Sequence, residues 1–361
     1  MTQARLRQAE AASDGIVVAN GGWEMVRIER LLAGGLVLVS VLFAPSVGCL
    51  RAQEHDAKLA PNCTGNFKVI DGHCQYPADD PEAVCLRQNL KHAKRVDGYV
   101  FRTFGSDDGS CLTVIRNRKV IFRRTVAGGP DAYTLGQELS TEWKSPGIPD
   151  GTDITGRGHP DLRVGLYSGG AHCCMFHYVF ELEPKFMMLA MLDSEDDDLA
   201  HFERLGPDRK YYYMTADWTF AYWPGSFASS PSHSVVLRFV DDDKGGRYHL
   251  ALDKMQRPAP TAVEWRDRLS DVKGAVSDGA DPDAVAVTLW GTVLDLIYTG
   301  HSDLAWKFSD EADPAAQKDP LPDLGSFCSI LKSSPYWPDL EGTIKNMPPA
   351  CANAKASWGE R

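Results

Sequence analysis

Two stretches in the middle of the chain decide the fold. Residues 161–167 read Asp-Leu-Arg-Val-Gly-Leu-Tyr, and residues 176–182 read Phe-His-Tyr-Val-Phe-Glu-Leu. Both are rich in the β-branched and aromatic residues that favour strands. The short glycine-containing segment between them leaves no room for a crossover helix, so the two strands are predicted to be antiparallel neighbours.

Similar segments occur on both sides of this pair. Strands are predicted at 99–104, 111–116, 120–126, 186–192, 211–215, 218–223 and 234–240. Turns separate them at short intervals, which indicates antiparallel meanders. A helix is predicted ahead of them, starting at Asp80-Pro81, because Leu86, Leu90 and Ala93 would share one helical face.

After residue 258 the pattern becomes helical. Thr261 and Glu264 form a capping box, and Asp281-Pro282 begins a second helix that ends near Gly300. Two more helices are predicted around 302–308 and 327–331. The sequence therefore predicts an α+β fold, antiparallel and β-rich, with a C-terminal α-helical segment.

Composition narrows the class of protein. The 361 residues include 24% charged and 43% hydrophobic residues, which excludes a disordered chain and a polytopic membrane protein. The formal net charge of −11 argues against nucleic acid as a partner, since phosphates require a basic face.

The first fifty residues have the pattern of an export signal. Arg27 and Arg30 precede a charge-free apolar run over 31–44, which is shorter than the roughly 20 residues of a membrane span. Met25 stands just before these arginines, so residues 1–24 are interpreted as an upstream extension from a misplaced start codon.

The end of this run, Pro45-Ser-Val-Gly-Cys49, resembles the lipobox of bacterial lipoproteins. The resemblance implies that Cys49 is lipidated and becomes the mature N-terminus. It places the protein in the cell envelope, anchored to a membrane and facing the periplasm or the exterior. Ser46 departs from the lipobox pattern, which favours leucine there. Ordinary cleavage near Ala52 and an uncleaved anchor are the alternatives.

The cysteine count agrees with export. Without Cys49, eight cysteines remain, an even number suited to a disulfide framework in an oxidising compartment. Cys63–Cys74 and Cys328–Cys351 are the favoured local pairs, and free buried thiols are the alternative. The eight disulfide candidates are Cys63, Cys74, Cys85, Cys111, Cys173, Cys174, Cys328 and Cys351.

One turn resembles a known calcium loop. Residues 153–162, Asp-Ile-Thr-Gly-Arg-Gly-His-Pro-Asp-Leu, are similar to the loop of FG-GAP or VCBS repeats, which bind calcium in β-propeller blades. The resemblance implies Asp153, Thr155 and Asp161 as oxygen ligands. Arg157 stands where that family has an aspartate, so a metal-free turn is expected, with the guanidinium bridging Asp153 and Asp161. No cofactor is therefore expected, and calcium is the alternative that Arg157 disfavours.

The same order of loop and strand recurs about fifty residues later. Residues 203–211 align with the first loop but have lost nearly every ligand. Repeats of this kind predict a partial propeller-like core whose open edge is covered by the C-terminal helices. The predicted organisation is a signal peptide over 1–48, a tether with a cysteine-clipped turn over 49–80, an FG-GAP/VCBS-like domain over 81–257 and a helical segment over 258–361.

The string Ser168-Gly-Gly-Ala-His-Cys-Cys174 extends the resemblance to a group of uncharacterised bacterial exported proteins, which implies architecture and location but no activity. Three interpretations remain open: a transition-metal site with His172 and His177 as ligands, a cysteine nucleophile with a histidine base, and a structural turn with disulfide-bonded cysteines. The structural turn is the favoured interpretation.

An aromatic-rich segment provides the last candidate site. Within the strand predicted at 218–223, Trp218, Phe220 and Tyr222 would alternate to one face, where such rings stack on sugars or peptides. A sheet core sealed by helices is the alternative.

Taken together, these features predict a non-enzymatic envelope lipoprotein that acts as a binding or scaffold module for a protein or a glycan. One rival is an exported hydrolase using His172 with an acid such as Asp153 or Asp217. The other rival is a metal-handling protein using His172 and His177.

Overall fold

Antiparallel meanders build the first part of the described chain, and helices build the last part. The structure, a computed structural model, describes residues 68–70, 73–75, 81–127, 129–136, 148–169, 174–197, 199–207, 210–241, 246–312 and 323–357. In these residues the fold is α+β and rich in antiparallel sheet, as the sequence predicted.

The strands form a short hairpin and three four-stranded sheets within the described residues. The hairpin consists of β1 (Lys68–Ile70) and β2 (His73–Gln75). The first sheet contains β3 (Leu90–Val96), β4 (Tyr99–Ser106), β5 (Gly109–Arg116) and β6 (Lys119–Val126). The second contains β7 (Tyr133–Leu135), β8 (Asp161–Tyr167), β9 (Met175–Glu181) and β10 (Met187–Glu195). The third contains β11 (His201–Glu203), β12 (Tyr212–Asp217), β13 (His233–Val240) and β14 (Arg247–Leu250). In each sheet the strands are neighbours in chain order.

A single helical turn, α1 (Pro81–Val84), precedes the first sheet, and the other helices follow the third. They are α2 (Leu252–Met255), α3 (Ala262–Ser277), α4 (Pro282–Tyr298), α5 (Ser302–Ala312), α6 (Leu324–Leu331), α7 (Trp337–Leu340) and α8 (Pro349–Asn353). The capping box of Thr261 with Glu264 and the Asp281 cap of α4 are both present, as predicted. None of the helices in the described part of the chain has the length and apolar character needed to cross a membrane.

Two of the predicted elements were wrong. The helix expected through Ala93 ends at Val84, and the chain then forms the edge strand β3. Leu86 and Leu90 are 45% and 43% exposed, so their helical spacing did not mark a buried face. The strand expected at 218–223 is a series of turns, because β12 ends at Asp217.

The second sheet is the middle layer of the fold, with both faces buried. On β9, Phe176, Tyr178 and Phe180 pack into a core shared with the first sheet. Val179, on the opposite face of the same strand, joins the core of the third sheet and the helices. The hydrophobic core therefore crosses the boundary expected at residue 257, since the third sheet and the helices bury one common set of side chains.

Disulfides reinforce both ends of the described chain. Cys328–Cys351 is present, as predicted, and joins α6 to α8. Cys85–Cys111 ties the segment after α1 to β5, and Cys174 is also disulfide-bonded. Cys63, the predicted partner of Cys74, lies outside the described residues, as do the lipidation site Cys49 and the signal peptide.

Candidate functional site

One crevice on the described surface lies in the helical part of the chain. An apolar crevice beside the Cys328–Cys351 disulfide is lined by Trp306, Leu331 and Trp337, with Lys332 as its one ionisable side chain. The Lys332 ammonium donates to main-chain carbonyls of α8 and its C-terminal end, so this lysine has a structural role. The crevice offers no set of groups that could carry out acid–base or nucleophilic chemistry.

The loop that resembles a calcium site is closed by its own backbone. Asp153 accepts hydrogen bonds from the main-chain N–H groups of Gly156, Arg157 and Gly158, at 2.7–3.0 Å. One oxygen of Asp161 accepts from the N–H groups of Ile154 and Thr155 and from the Thr155 hydroxyl. Oxygens of both aspartates therefore already accept hydrogen bonds within the loop. Among the described residues, no three His, Cys, Asp or Glu side chains are grouped so that they could hold a metal ion.

Arg157 does not bridge Asp153 and Asp161, so that prediction was wrong. Its guanidinium lies 2.9 Å from the buried carboxylate of Glu181 and donates to Asp241 at 2.8 Å. The physical reason is that backbone N–H groups already bind Asp153 and one oxygen of Asp161, whereas Glu181, opposite Asp161 in the β8–β9 ladder, needs a countercharge.

The environment of Asp161 gives the fold a pH dependence. Burial raises the pKa of Asp161 to about 6, although the hydrogen bonds from Thr155 and Ile154 oppose the shift. The native protein therefore binds this proton more tightly than the unfolded chain, in which an aspartate has a pKa near ~3.9.

We expect the Asp161 contribution to stabilise the fold below about pH 4 and to be lost as the pH rises through about 6, a change of about 2–3 kcal/mol. Asp161→Asn should lack this component, because an amide does not ionise but retains an oxygen for the loop N–H groups. Urea unfolding of both proteins at several pH values measures it. Parallel pH profiles for the two proteins would show that Asp161 does not titrate in this range.

The Ser168–Cys174 string is only partly described, because His172 and Cys173 lie outside the described residues. Cys174 is disulfide-bonded, so it is unavailable as a thiolate ligand or nucleophile. His177 is buried between Tyr213 and Phe202, and its Nδ1 lies 2.6 Å from the Tyr213 hydroxyl. Burial lowers the pKa of His177 to about 3, so its imidazole is neutral and shielded from solvent. The structure thus places His177 in the core.

Asp217, the acid considered for a hydrolase, is the centre of a buried junction. One of its oxygens accepts from the N–H and hydroxyl of Thr219, and the other accepts from the hydroxyls of Tyr298 and Ser334. Burial, reinforced by this carboxylate, raises the pKa of Tyr298, which keeps the phenol protonated as a donor. The junction joins β12 to α4 and to the segment after α6.

A serine, a histidine and an aspartate lie near one another here, but not as a catalytic triad. Ser334 donates to Asp217 directly at 2.8 Å, while His233 stacks on the ring of Tyr298. All three of Ser334, His233 and Asp217 are buried, so a substrate has no access to them. The arrangement is structural.

The aromatic segment forms a cluster with a different membership from the predicted one, in which Tyr222 is exposed and Trp218 and Phe227 are partly buried. Phe220 is fully buried and stacks on Phe327, so its assignment to the ligand platform was wrong. Phe227 takes its place: Trp218 stacks on Phe227 with centroids 5.0 Å apart, and Tyr222 contacts Phe227 at 5.3 Å. We call Trp218, Tyr222 and Phe227 the aromatic patch.

Hydrogen bonds within the loop support the backbone that carries the patch. Turn hydrogen bonds link Ala221 to Trp218 and Trp223 to Phe220, and the N–H of Tyr222 donates to the Ser230 hydroxyl at 2.7 Å. Phe220 and Trp223 anchor the loop on the helices.

Tyr222 is exposed and has an unfavourable backbone conformation. It is 54% exposed and has a φ of 61°, in the left-handed region that a bulky residue rarely adopts. Backbone strain of this kind is concentrated at functional sites, where the surrounding structure enforces it.

A carboxylate borders the patch. The exposed Asp283, in the first turn of α4, lies against Gly225 of this loop. Its carboxylate is so close that a side chain at position 225 would clash with it. The site therefore combines aromatic ring surface with a hydrogen-bond acceptor. Sequence reasoning missed Asp283 and the stacking of Phe227 on Trp218, because it assumed a strand in which alternate residues face the same way.

Comparison with known proteins adds no assignment. The chain matches no protein-family model, no curated protein and no solved structure.

Proposed function

We propose that this protein is a non-enzymatic binding module of the cell envelope, and that the aromatic patch binds a neutral glycan. The observation that carries the proposal is the exposed, strained Tyr222, which lies beside the partly buried rings of Trp218 and Phe227 on a hydrogen-bonded loop. Exposed aromatic clusters are uncommon on protein surfaces unless they serve an interaction.

The chemistry of the patch favours a sugar over other ligands. Pyranose rings present flat C–H surfaces that pack on aromatic faces, and their hydroxyls donate to carboxylates such as Asp283. The exposed carboxylate of Asp283 beside this loop disfavours an anionic ligand at the patch. The loop is already ordered by its own hydrogen bonds, so binding would not have to order it.

The architecture proposed for this module is a partial propeller-like stack. Three four-stranded meanders follow one another in the chain, and the middle one is buried on both faces, which supports a stack of blade-like sheets. The similarity of the loop at 153–162 to FG-GAP or VCBS repeats agrees with this proposal.

The envelope location rests on lipidation of Cys49. We expect Cys49→Ser to abolish incorporation of labelled fatty acid and to release the protein from the membrane fraction, because the thiol is the attachment point. The matched control is Cys328→Ser with Cys351→Ser, which removes a disulfide and leaves the anchor unchanged. Fatty-acid labelling that persists in Cys49→Ser would contradict the lipid anchor.

The ligand proposal is tested on an array of neutral oligosaccharides. We expect the wild-type protein to bind a subset of the array, and Trp218→Ala to lose about 30-fold in affinity, as truncation of an aromatic hot spot costs about 2 kcal/mol. Tyr167→Ala is the control, since Tyr167 is 41% exposed outside the patch. Absence of binding to any neutral glycan, or equal binding by Trp218→Ala, would contradict the proposal.

A further inference from the structure

The first sheet has a charge opposite to that of the rest of the protein. Residues 87–126 carry ten lysine and arginine residues against three aspartates, in a chain with 38 basic and 49 acidic residues. A cationic sheet in an acidic protein is a marked asymmetry, and charge asymmetry of this kind indicates an anionic partner.

The strand register gathers part of this charge on the outer face of the sheet. Arg95, Val100, Ile115 and Val120 are directly opposite one another across the four strands. The next outward-facing row contains Ala93, Arg102, Thr113 and Arg123. Directly opposed side chains share a face, so arginines and apolar residues are mixed there. The other face, with Phe101, Val114 and Phe122, packs on the second sheet.

Two arginines at this outer face are exposed, and a third is half-buried. We call Arg95 and Arg102, together with Arg118 in the β5–β6 turn, the basic face. None of these three forms an ion pair with any residue in the described part of the chain, and Arg95 and Arg118 are exposed. Val120, beside them, is 49% exposed. Helix α1 packs against the opposite end of this face, around Phe104 and Cys111.

We propose that the basic face docks on an anionic lipid surface. Arginine side chains bind lipid phosphates, and the apolar side chains between them suit the boundary between headgroups and acyl chains. The proposal rests on the envelope location proposed above, and it adds the orientation of the body on the membrane. The first sheet is the first four-stranded sheet after the proposed anchor at Cys49, and only the short hairpin of β1 and β2 precedes it among the described strands.

The test uses the unlipidated counterpart of the mature protein, with Cys49→Ser and without residues 1–48. Binding is measured by co-sedimentation with vesicles of phosphatidylglycerol and phosphatidylcholine in equal parts, and with vesicles of phosphatidylcholine alone. We expect binding to the anionic vesicles only. A combined Arg95→Glu, Arg102→Glu and Arg118→Glu variant should bind about a hundred-fold more weakly, since each cation near such a surface contributes about five-fold.

A matched variant separates this effect from net charge. Arg266→Glu, Lys273→Glu and Lys345→Glu make the same charge change at exposed positions in the C-terminal part of the chain, and they should reduce binding less than five-fold. Failure of the wild-type protein to bind anionic vesicles, or equal losses in both triple variants, would overturn the proposal.

Because the protein in this assay carries no lipid, the outcome is independent of Cys49 lipidation. Glycan binding at the aromatic patch should be unchanged in both variants, which separates this proposal from the proposed function.

Discussion

Replacing Asp217 by alanine is expected to lower the free energy of unfolding by about 4 kcal/mol. The carboxylate accepts hydrogen bonds from Thr219, Tyr298 and Ser334, and the substitution would leave these buried donors without an acceptor. The loss falls on the joint between the third sheet and the helices, so the two should separate more readily.

Urea unfolding of Asp217→Ala against wild type measures this loss. The matched control is Asp253→Ala, which breaks an exposed pair with Arg238 and should cost less than about 1 kcal/mol. Asp217→Asn should fall between the two, because its amide keeps one acceptor oxygen. A loss below about 1 kcal/mol for Asp217→Ala would show that the junction is not a main support of the fold.

Arg157→Ala is expected to cost about 3 kcal/mol, because it leaves the buried Glu181 carboxylate without its countercharge. If the unpaired charge is the cause, adding Glu181→Gln to Arg157→Ala should recover most of the loss. A double variant no more stable than Arg157→Ala would contradict this explanation.

The same variants test the metal hypothesis for the loop. Calcium and chelator should leave the melting temperature of the wild-type protein unchanged, since mass action stabilises only a state that binds the ion. Arg157→Ala should likewise gain nothing from calcium, because backbone N–H groups still bind Asp153 and one oxygen of Asp161. A calcium-dependent rise in the wild type would make Asp153, Thr155 and Asp161 ligands.

Much of the fold was predictable because local signals agreed with tertiary packing. The strand at 161–167 and the helix caps at Thr261 and Asp281 were read correctly from residue periodicity and cap chemistry. The prediction failed at the start of the first sheet, where Leu86, ahead of β3, and Leu90, on β3, have helical spacing but are both exposed. The strand conformation of that segment depends on its pairing with β4, which is a tertiary contact.

The candidate site was less predictable. Aromatic residues at 218–223 alternate as in a strand, but the turns after Asp217 send Phe220 inward and bring Phe227 beside Trp218. The partner of Arg157 is likewise fixed by β-sheet register: Glu181 is opposite Asp161 on the neighbouring strand, which single-sequence reasoning does not show. Both sites depend on contacts between segments that are distant in sequence.

The measurement that tests the central claim most directly is a calorimetric titration of the best oligosaccharide from the array into three proteins: wild type, Tyr222→Ala and Tyr167→Ala. The proposed function predicts that Tyr222→Ala binds at least about tenfold more weakly, because the exposed ring is lost from the patch, while Tyr167→Ala binds like the wild type. Equal affinities for all three proteins would contradict glycan binding at the aromatic patch.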